Sequence, residues 1–147
     1  MPDSDILIEV GPASEAISDR IEQELLVSLR TNMPPSDYDP FTIVARNAEG
    51  ALVAGLDGST AYGWLAIKTL WVAEAERGRG LGARLVRAAE AAAASRNCHG
   101  AWLDTSSARA MNFYRRLGYE SFGTLENEGN DRPTGHRRFF MSRRLSR

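Results

Sequence analysis

Arg77-Gly78-Arg79-Gly80-Leu81-Gly82-Ala83 follows an apolar run, Trp64–Val72, and opens an alanine-rich stretch of helical pattern. Three glycines at every second position make a poor helix start unless the backbone must come close to something. Glycine permits that approach because it has no Cβ and tolerates positive φ. The N–H groups of a first helical turn have no partners within the helix, and the helix dipole favours negative charge there. The guest this implies is an anion, above all phosphate or pyrophosphate.

The rest of the chain bounds the answer. Its 147 residues fit one domain, 1–147, with room for a core. Hydrophobic content of 43% and charged content of 25% are those of an ordinary globular protein. Cys98 is the only cysteine, which excludes an intrachain disulfide and a cysteine metal cluster. Met1-Pro2-Asp3-Ser4-Asp5 is acidic and lacks the layout of a signal peptide. No apolar stretch reaches the length of a membrane span, so no membrane partner is expected and the cytoplasm is the expected location. The net charge of −1 hides an asymmetry: residues 1–76 carry 13 acids and 4 bases, residues 77–147 carry 6 acids and 14 bases. The sign changes at the glycine loop. The halves either present two surfaces of opposite potential or neutralise each other in the fold.

Along the chain, Ile6-Leu7-Ile8-Glu9-Val10 reads as a first strand, ended by Gly11-Pro12. Ile17, Ile21, Leu25 and Leu29 then recur at helical spacing, until Asn32-Met33-Pro34-Pro35 breaks the pattern. Residues 41–46 and 52–56 form a hairpin around Glu49-Gly50. Asp57-Gly58-Ser59-Thr60 is the next turn, and residues 62–72 are a long strand. Residues 81–96 are helical, with Leu85, Ala88 or Ala89, and Ala92 on one face and Arg84, Arg87 and Glu90 on another. Ala101-Trp102-Leu103 is a short strand. Ser106 or Ser107 caps a helix that carries Phe113 and Tyr114, and Gly118 suits its left-handed end. Residues 119–125 and 136–142 close the sheet. The fold class is mixed α/β without regular alternation.

The phosphate has three possible owners. A Walker A loop is excluded, because no Gly-Lys-Ser or Gly-Lys-Thr follows the glycines. Gly78-Arg79-Gly80-Leu81-Gly82-Ala83 does match the dinucleotide pattern G-x-G-x-x-A, and Asp104 ends the next strand where an acid could reach a ribose. Against this, Ala73 to Arg77 separate the strand from the glycines, and too few strands follow to complete a doubly wound domain. The third owner is coenzyme A. Arg77-x-x-Gly80-x-Gly82 resembles the Gln/Arg-x-x-Gly-x-Gly/Ala signature of the GNAT superfamily of N-acetyltransferases. Ala110-Met111-Asn112-Phe113-Tyr114-Arg115-Arg116-Leu117-Gly118-Tyr119 resembles that family's second motif, about one helix and one strand later.

The resemblance implies a mostly antiparallel sheet of about seven strands with about four helices, splayed between the fourth and fifth strands. It implies acetyl-CoA as co-substrate and no metal, and it allows a homodimer. The pyrophosphate would lie on the amides of Gly78, Gly80, Leu81, Gly82 and Ala83, with Arg77 and Arg79 adding charge-assisted contacts. In the cofactor-binding segment Leu70-Trp71-Val72, Leu70 and Val72 would offer backbone groups to the pantetheine arm, and the Val72 N–H would act as oxyanion donor. Tyr114 would serve the leaving sulfur as general acid. Ser107 stands where the family often has an asparagine, and either substitutes for it or merely caps the helix. The family's frequent glutamate base is absent, since residues 64–72 carry only Lys68 and Thr69 as polar side chains. Asp104 is the best candidate base, ahead of Glu74, Glu126, His136 or a water chain. Cys98-His99 is not metal-ligand spacing. Arg132, Arg137, Arg138, Arg143, Arg144 and Arg147 come without a nucleic-acid-binding module, so no nucleic acid is expected. The expected activity is transfer of acetyl from acetyl-CoA to a primary amine, small molecule or peptide, by direct attack. Glu15, Asp19, Glu22, Glu24, Asp37 and Asp39 suggest a cationic acceptor. A non-catalytic acyl-CoA-binding module and a dinucleotide-binding enzyme are the alternatives.

Overall fold

The structure is a computed structural model and describes residues 5–145. Its contacts divide into two compact units, Met1–Pro35 and Ser36–Arg147. In the first unit, helix α1 spans Glu15–Leu29. Ser14 caps it by accepting from the Ile17 N–H at 3.3 Å, and Glu15 places an acid in the first turn. Residues 6–10, expected as a strand, are not one. An apolar run becomes a strand only by joining a ladder. This one joins none among the described residues, and Val10 is fully exposed.

The second unit holds six strands: β1 Asp39–Arg46, β2 Leu52–Ala61, β3 Trp64–Val72, β4 Gly100–Thr105, β5 Glu120–Glu126 and β6 Arg137–Arg144. Helices α2 (Leu81–Ser95) and α3 (Ala108–Arg116) and a 3-10 turn at Glu74–Glu76 connect them. The described residues therefore form six strands and three α-helices, not about seven and about four. Residues 32–37 hold no helix: two adjacent prolines there remove N–H donors and push the preceding residue to extended backbone.

The sheet order is β1-β2-β3-β4-β6-β5. All neighbours are antiparallel except β3 and β4. The β1–β2 turn is held by Asn47, whose Oδ1 accepts from the N–H groups of Glu49 and Ala51. The turn expected at residues 57–60 is absent. Strand β2 runs on to Ala61, and the reversal is made by Tyr62 and Gly63, both with positive φ (51° and 81°). That pair of conformations matches the twist of a tight hairpin. Asp57 and Gly58 instead flank a β-bulge: they pair with Thr69 and Ile67, which leaves Lys68 as the extra residue. Turn-forming residue types also suit a bulge, and sequence alone does not separate the two uses.

Helix α2 covers one face of β1, β2 and β3. Leu85, Val86 and Ala89 pack there over Ala54, Leu56 and Leu65, all buried. Strand β4 crosses back beside β3 at Gly100, where a Cβ would run into the Trp64 ring. This contact sets how closely the one parallel pair can approach. Gly100→Ala is expected to destabilise the fold by about 1–3 kcal/mol through overpacking. Chemical denaturation measures this, and an unchanged midpoint would show that Trp64 yields freely.

Candidate active site

Strand β3 ends where the glycine loop begins, and the loop folds back on it. The Arg77 Nε donates to the Val72 carbonyl at 2.9 Å. Gly78 and Gly80 have φ of 80° and 76°, a left-handed conformation that side chains resist. A Cβ at either would meet nothing within 4 Å, so the space beside the loop is open. Gly80 is the N-cap of α2 and supplies no side-chain cap. The first-turn amides of a 15-residue helix thus lie next to open space, with Arg77 and Arg79 in the preceding loop. This arrangement fits a pyrophosphate. Arg79 also sits 3.5 Å from Glu76, an exposed pair that contributes little by itself.

The strand pair upstream opens. The β3–β4 register runs from Trp64↔Gly100 to Ile67↔Leu103 and stops, although β3 continues to Val72 and β4 to Thr105. The direction of the freed backbone groups follows from the antiparallel side. The Ala73 N–H donates to the Val53 carbonyl at 2.8 Å, which makes those two opposed residues a hydrogen-bonded pair. Bonded and non-bonded pairs alternate. Val72, opposite Ala54, and Leu70, opposite Leu56, therefore turn their N–H and C=O groups away from β2 and toward the opening. Trp71 points its backbone the other way, and its side chain is exposed.

Three elements converge at this opening. The position a Cβ on Gly82 would take lies 3.4 Å from Phe113 Cζ and 3.7 Å from Val72 Cγ2. The start of α2, the end of β3 and the middle of α3 thus meet within one contact distance. Tyr114 follows Phe113 and is buried, with ring centroids 5.0 Å from Phe113 and 5.7 Å from Tyr119. None of the described residues bonds its hydroxyl. Among the described residues no buried side-chain oxygen or nitrogen lacks a partner, so that hydroxyl keeps some solvent contact. Burial pushes the Tyr114 phenol up to about 12.

Ser107 caps α3 by accepting from the Ala110 N–H at 3.1 Å. Gly118, with φ of 98°, ends that helix in the expected left-handed conformation. Asp104 lies one residue beyond the last β3–β4 pair, and its Oδ2 accepts from the Arg138 Nε at 2.7 Å and Nη2 at 2.6 Å. Glu90 departs from expectation. The helical spacing puts it on the polar face with Arg84 and Arg87, but it is buried. Its carboxylate is met by Arg87 and Arg143 at 2.7 Å each and by the Tyr119 hydroxyl at 3.0 Å. Its spacing of four from Val86, itself a core position, was the available signal. Among the described residues, no group of three or more His, Cys, Asp or Glu side chains could hold a metal ion. No helix among them is long and apolar enough to cross a membrane.

Comparison with known proteins places this geometry in a family. Residues 13–119 match the family model described as "Acetyltransferase (GNAT) family". The chain is 40% identical over 90 residues to acetyltransferase Atu2258 of Agrobacterium fabrum, covering 61% of this chain and 66% of that protein, just under two thirds of its length. It is 35% identical over 112 residues to blasticidin-S acetyltransferase of Streptomyces morookaense, covering 74% and 81%. Its fold is similar to the crystal structure of an acetyltransferase from Bacillus cereus, with TM-score 0.81, 26% identity and coverage of 94% and 98%. The chain belongs to the GNAT acetyltransferase family. The family is one of acyltransferases that use acetyl-CoA.

Two expectations follow from the geometry. Gly80→Ala, which forces a side chain into left-handed backbone, should cost about 1–2 kcal/mol. It should also weaken coenzyme A binding in calorimetry; unchanged affinity would mean the loop does not hold the pyrophosphate. Second, Tyr114 keeps its proton until about pH 12. A fall in kcat/KM between about pH 8 and about pH 10 should therefore persist in Tyr114→Phe. A limb that disappears in this variant would assign the ionisation to Tyr114.

Proposed function

We propose that this chain transfers the acetyl group of acetyl-CoA to a primary amine by direct attack in a ternary complex, within a single GNAT domain. The observation that carries the reading is the loss of β3–β4 pairing after Ile67, with Val72, Gly82 and Phe113 converging at the opening. When bound there, acetyl-CoA supplies an activated acetyl thioester. The amides of Gly78 to Ala83, with Arg77 and Arg79, hold the pyrophosphate. Leu70 and Val72 pair with the pantetheine arm as an added strand would. The Val72 N–H donates to the oxygen that gains negative charge as the carbonyl carbon is attacked. Tyr114 Oη donates to the sulfur as it leaves. Ser107 flanks the arm, with its oxygen already accepting from Ala110. Asp104 takes the proton of the attacking amine, directly or through water, at Oδ1, since Oδ2 is held by Arg138.

The acceptor is a cationic small molecule or peptide. The excess of acids over bases in residues 1–76 supports this, as does the similarity to an acetyltransferase named for an antibiotic. Of Glu15, Asp19, Glu22, Glu24, Asp37 and Asp39, three are engaged internally: Glu24 pairs with Arg20 at 2.9 Å, Asp37 accepts from the Tyr62 N–H at 2.8 Å, and Asp39 pairs with Arg96 at 3.2 Å. Glu15, Asp19 and Glu22 are exposed acids of the kind a cationic acceptor requires.

Thiol release from acetyl-CoA across a panel of amines tests the reading. Cationic acceptors should be preferred, and kcat/KM should fall between about 20 and about 300 mM salt. Equal use of neutral amines with no salt dependence would remove the cationic acceptor but leave the transfer standing. Tyr114→Phe should lower kcat by roughly 10- to 100-fold, the worth of a hydrogen bond to a charged group. Asp104→Asn should lower it by about 100-fold or more if the carboxylate is the base.

A further inference from the structure

Glu90 is a buried acid that the proposed chemistry does not use. It lies on α2 about 12 Å along the axis from Gly82, eight residues away at about 1.5 Å each. Those two positions are where α2 meets the segment carrying Tyr114. At the first, Phe113 rests against Gly82. At the second, the Tyr119 hydroxyl donates to Glu90 Oε2 at 3.0 Å. Tyr119 is fully buried and tied to Tyr114 twice over: its N–H donates to the Tyr114 carbonyl at 3.0 Å, and its ring meets the Tyr114 ring edge-on at 5.7 Å. Tyr114 is thus held between Phe113 and Tyr119, and each of those is seated on α2.

The carboxylate is itself fixed from two further directions. Arg143 on β6 meets Oε2 and Arg87 on α2 meets Oε1, both at 2.7 Å. Gly118 leaves room for Arg143, whose Nε would lie 3.0 Å from a Cβ there. A buried carboxylate is costly unless charged and hydrogen-bonding partners surround it. Replacing such an arrangement by apolar packing is often neutral for stability, so stability alone does not explain a carboxylate here. Its physical effect is directional: Tyr119 has one place to put its proton, and burial together with the Glu90 carboxylate raises that phenol well above its usual range.

We propose that Glu90 is a positioning residue for acetyl transfer, acting through Tyr119 to hold the Tyr114 hydroxyl at the opening between β3 and β4. This rests on the role given to Tyr114 above.

The test is a double-mutant cycle between Glu90→Gln and Tyr114→Phe, read by kcat, by calorimetric coenzyme A affinity and by the NMR ring signals of 13C-labelled tyrosine. Glu90→Gln should lower kcat by roughly three- to tenfold, keep coenzyme A affinity within about twofold, and shift or broaden the Tyr114 signal. In the Tyr114→Phe background it should have no further effect on kcat. Multiplicative losses, or an unmoved Tyr114 signal, would overturn the proposal, because a merely structural carboxylate lowers both backgrounds alike. If Tyr114→Phe retains full kcat, the role of Tyr114 fails while the NMR signal still judges the positioning. Should Glu90→Gln not fold, Tyr119→Phe, which keeps both arginine pairs, should give the same pattern of effects; full kcat with an unmoved Tyr114 signal in that variant would overturn the proposal.

Discussion

The functional architecture depends on one interruption: β3 and β4 pair for four residues and then part. A parallel pair buried in a sheet ordinarily continues as far as both strands do, because each unpaired N–H or C=O away from water costs free energy. Here Leu70 and Val72 are left facing the gap. Two features make the parting possible. The bulge at Lys68 bends β3 next to the last paired residue, Ile67. At the end of the strand, Arg77 returns to the Val72 carbonyl and satisfies that acceptor from within the chain. The Val72 N–H receives no such compensation, and a donor placed this way is suited to an oxygen that becomes charged during reaction.

Much of this was legible from residues alone. The loop of residues 77–83 and the Phe113-Tyr114 helix each have a local cause: left-handed glycines, an uncapped helix start, a serine cap and a glycine stop. Such features are written in neighbouring residues, and a motif can record them. Features made by distant residues were not legible. The turn placed at Asp57-Gly58 is a bulge because Thr69 and Ile67 lie opposite, and nothing near residue 57 says so. Residues 6–10 have the composition of a strand, yet strand formation is a property of pairs. Glu90 looked solvent-facing because acids usually are. Its burial depends on Tyr119 and Arg143, 29 and 53 residues away.

The division of charge along the chain has a structural counterpart within the second unit. Several arginines there are occupied in fixing acids: Arg87 and Arg143 on Glu90, Arg96 on Asp39, Arg138 on Asp104 and Arg137 on Glu126. Part of the basic excess is therefore internal framework. Arginine suits that work better than lysine, since its planar fork stays charged and meets carboxylates in fixed directions. Arg77, at the glycine loop, is different, because its one recorded bond goes to a neutral carbonyl. Its charge remains available to an anion.

The ionisation of Tyr114 constrains what its hydroxyl can do for the departing sulfur. A phenol raised to about 12 is a weaker acid than an ordinary thiol near 8.5. Full proton transfer from Tyr114 to sulfur would then be uphill by roughly 5 kcal/mol, at about 1.4 kcal/mol per unit. A charge-assisted hydrogen bond carries no such cost and strengthens as charge collects on sulfur. The burial that makes Tyr114 a poor proton donor also keeps its hydrogen in place throughout the working range of pH. In the proposed mechanism its contribution is stabilisation by a held donor, which requires a fixed ring more than an acidic one. The packing of Phe113 on Gly82 and of Tyr119 on Glu90 supplies such a ring.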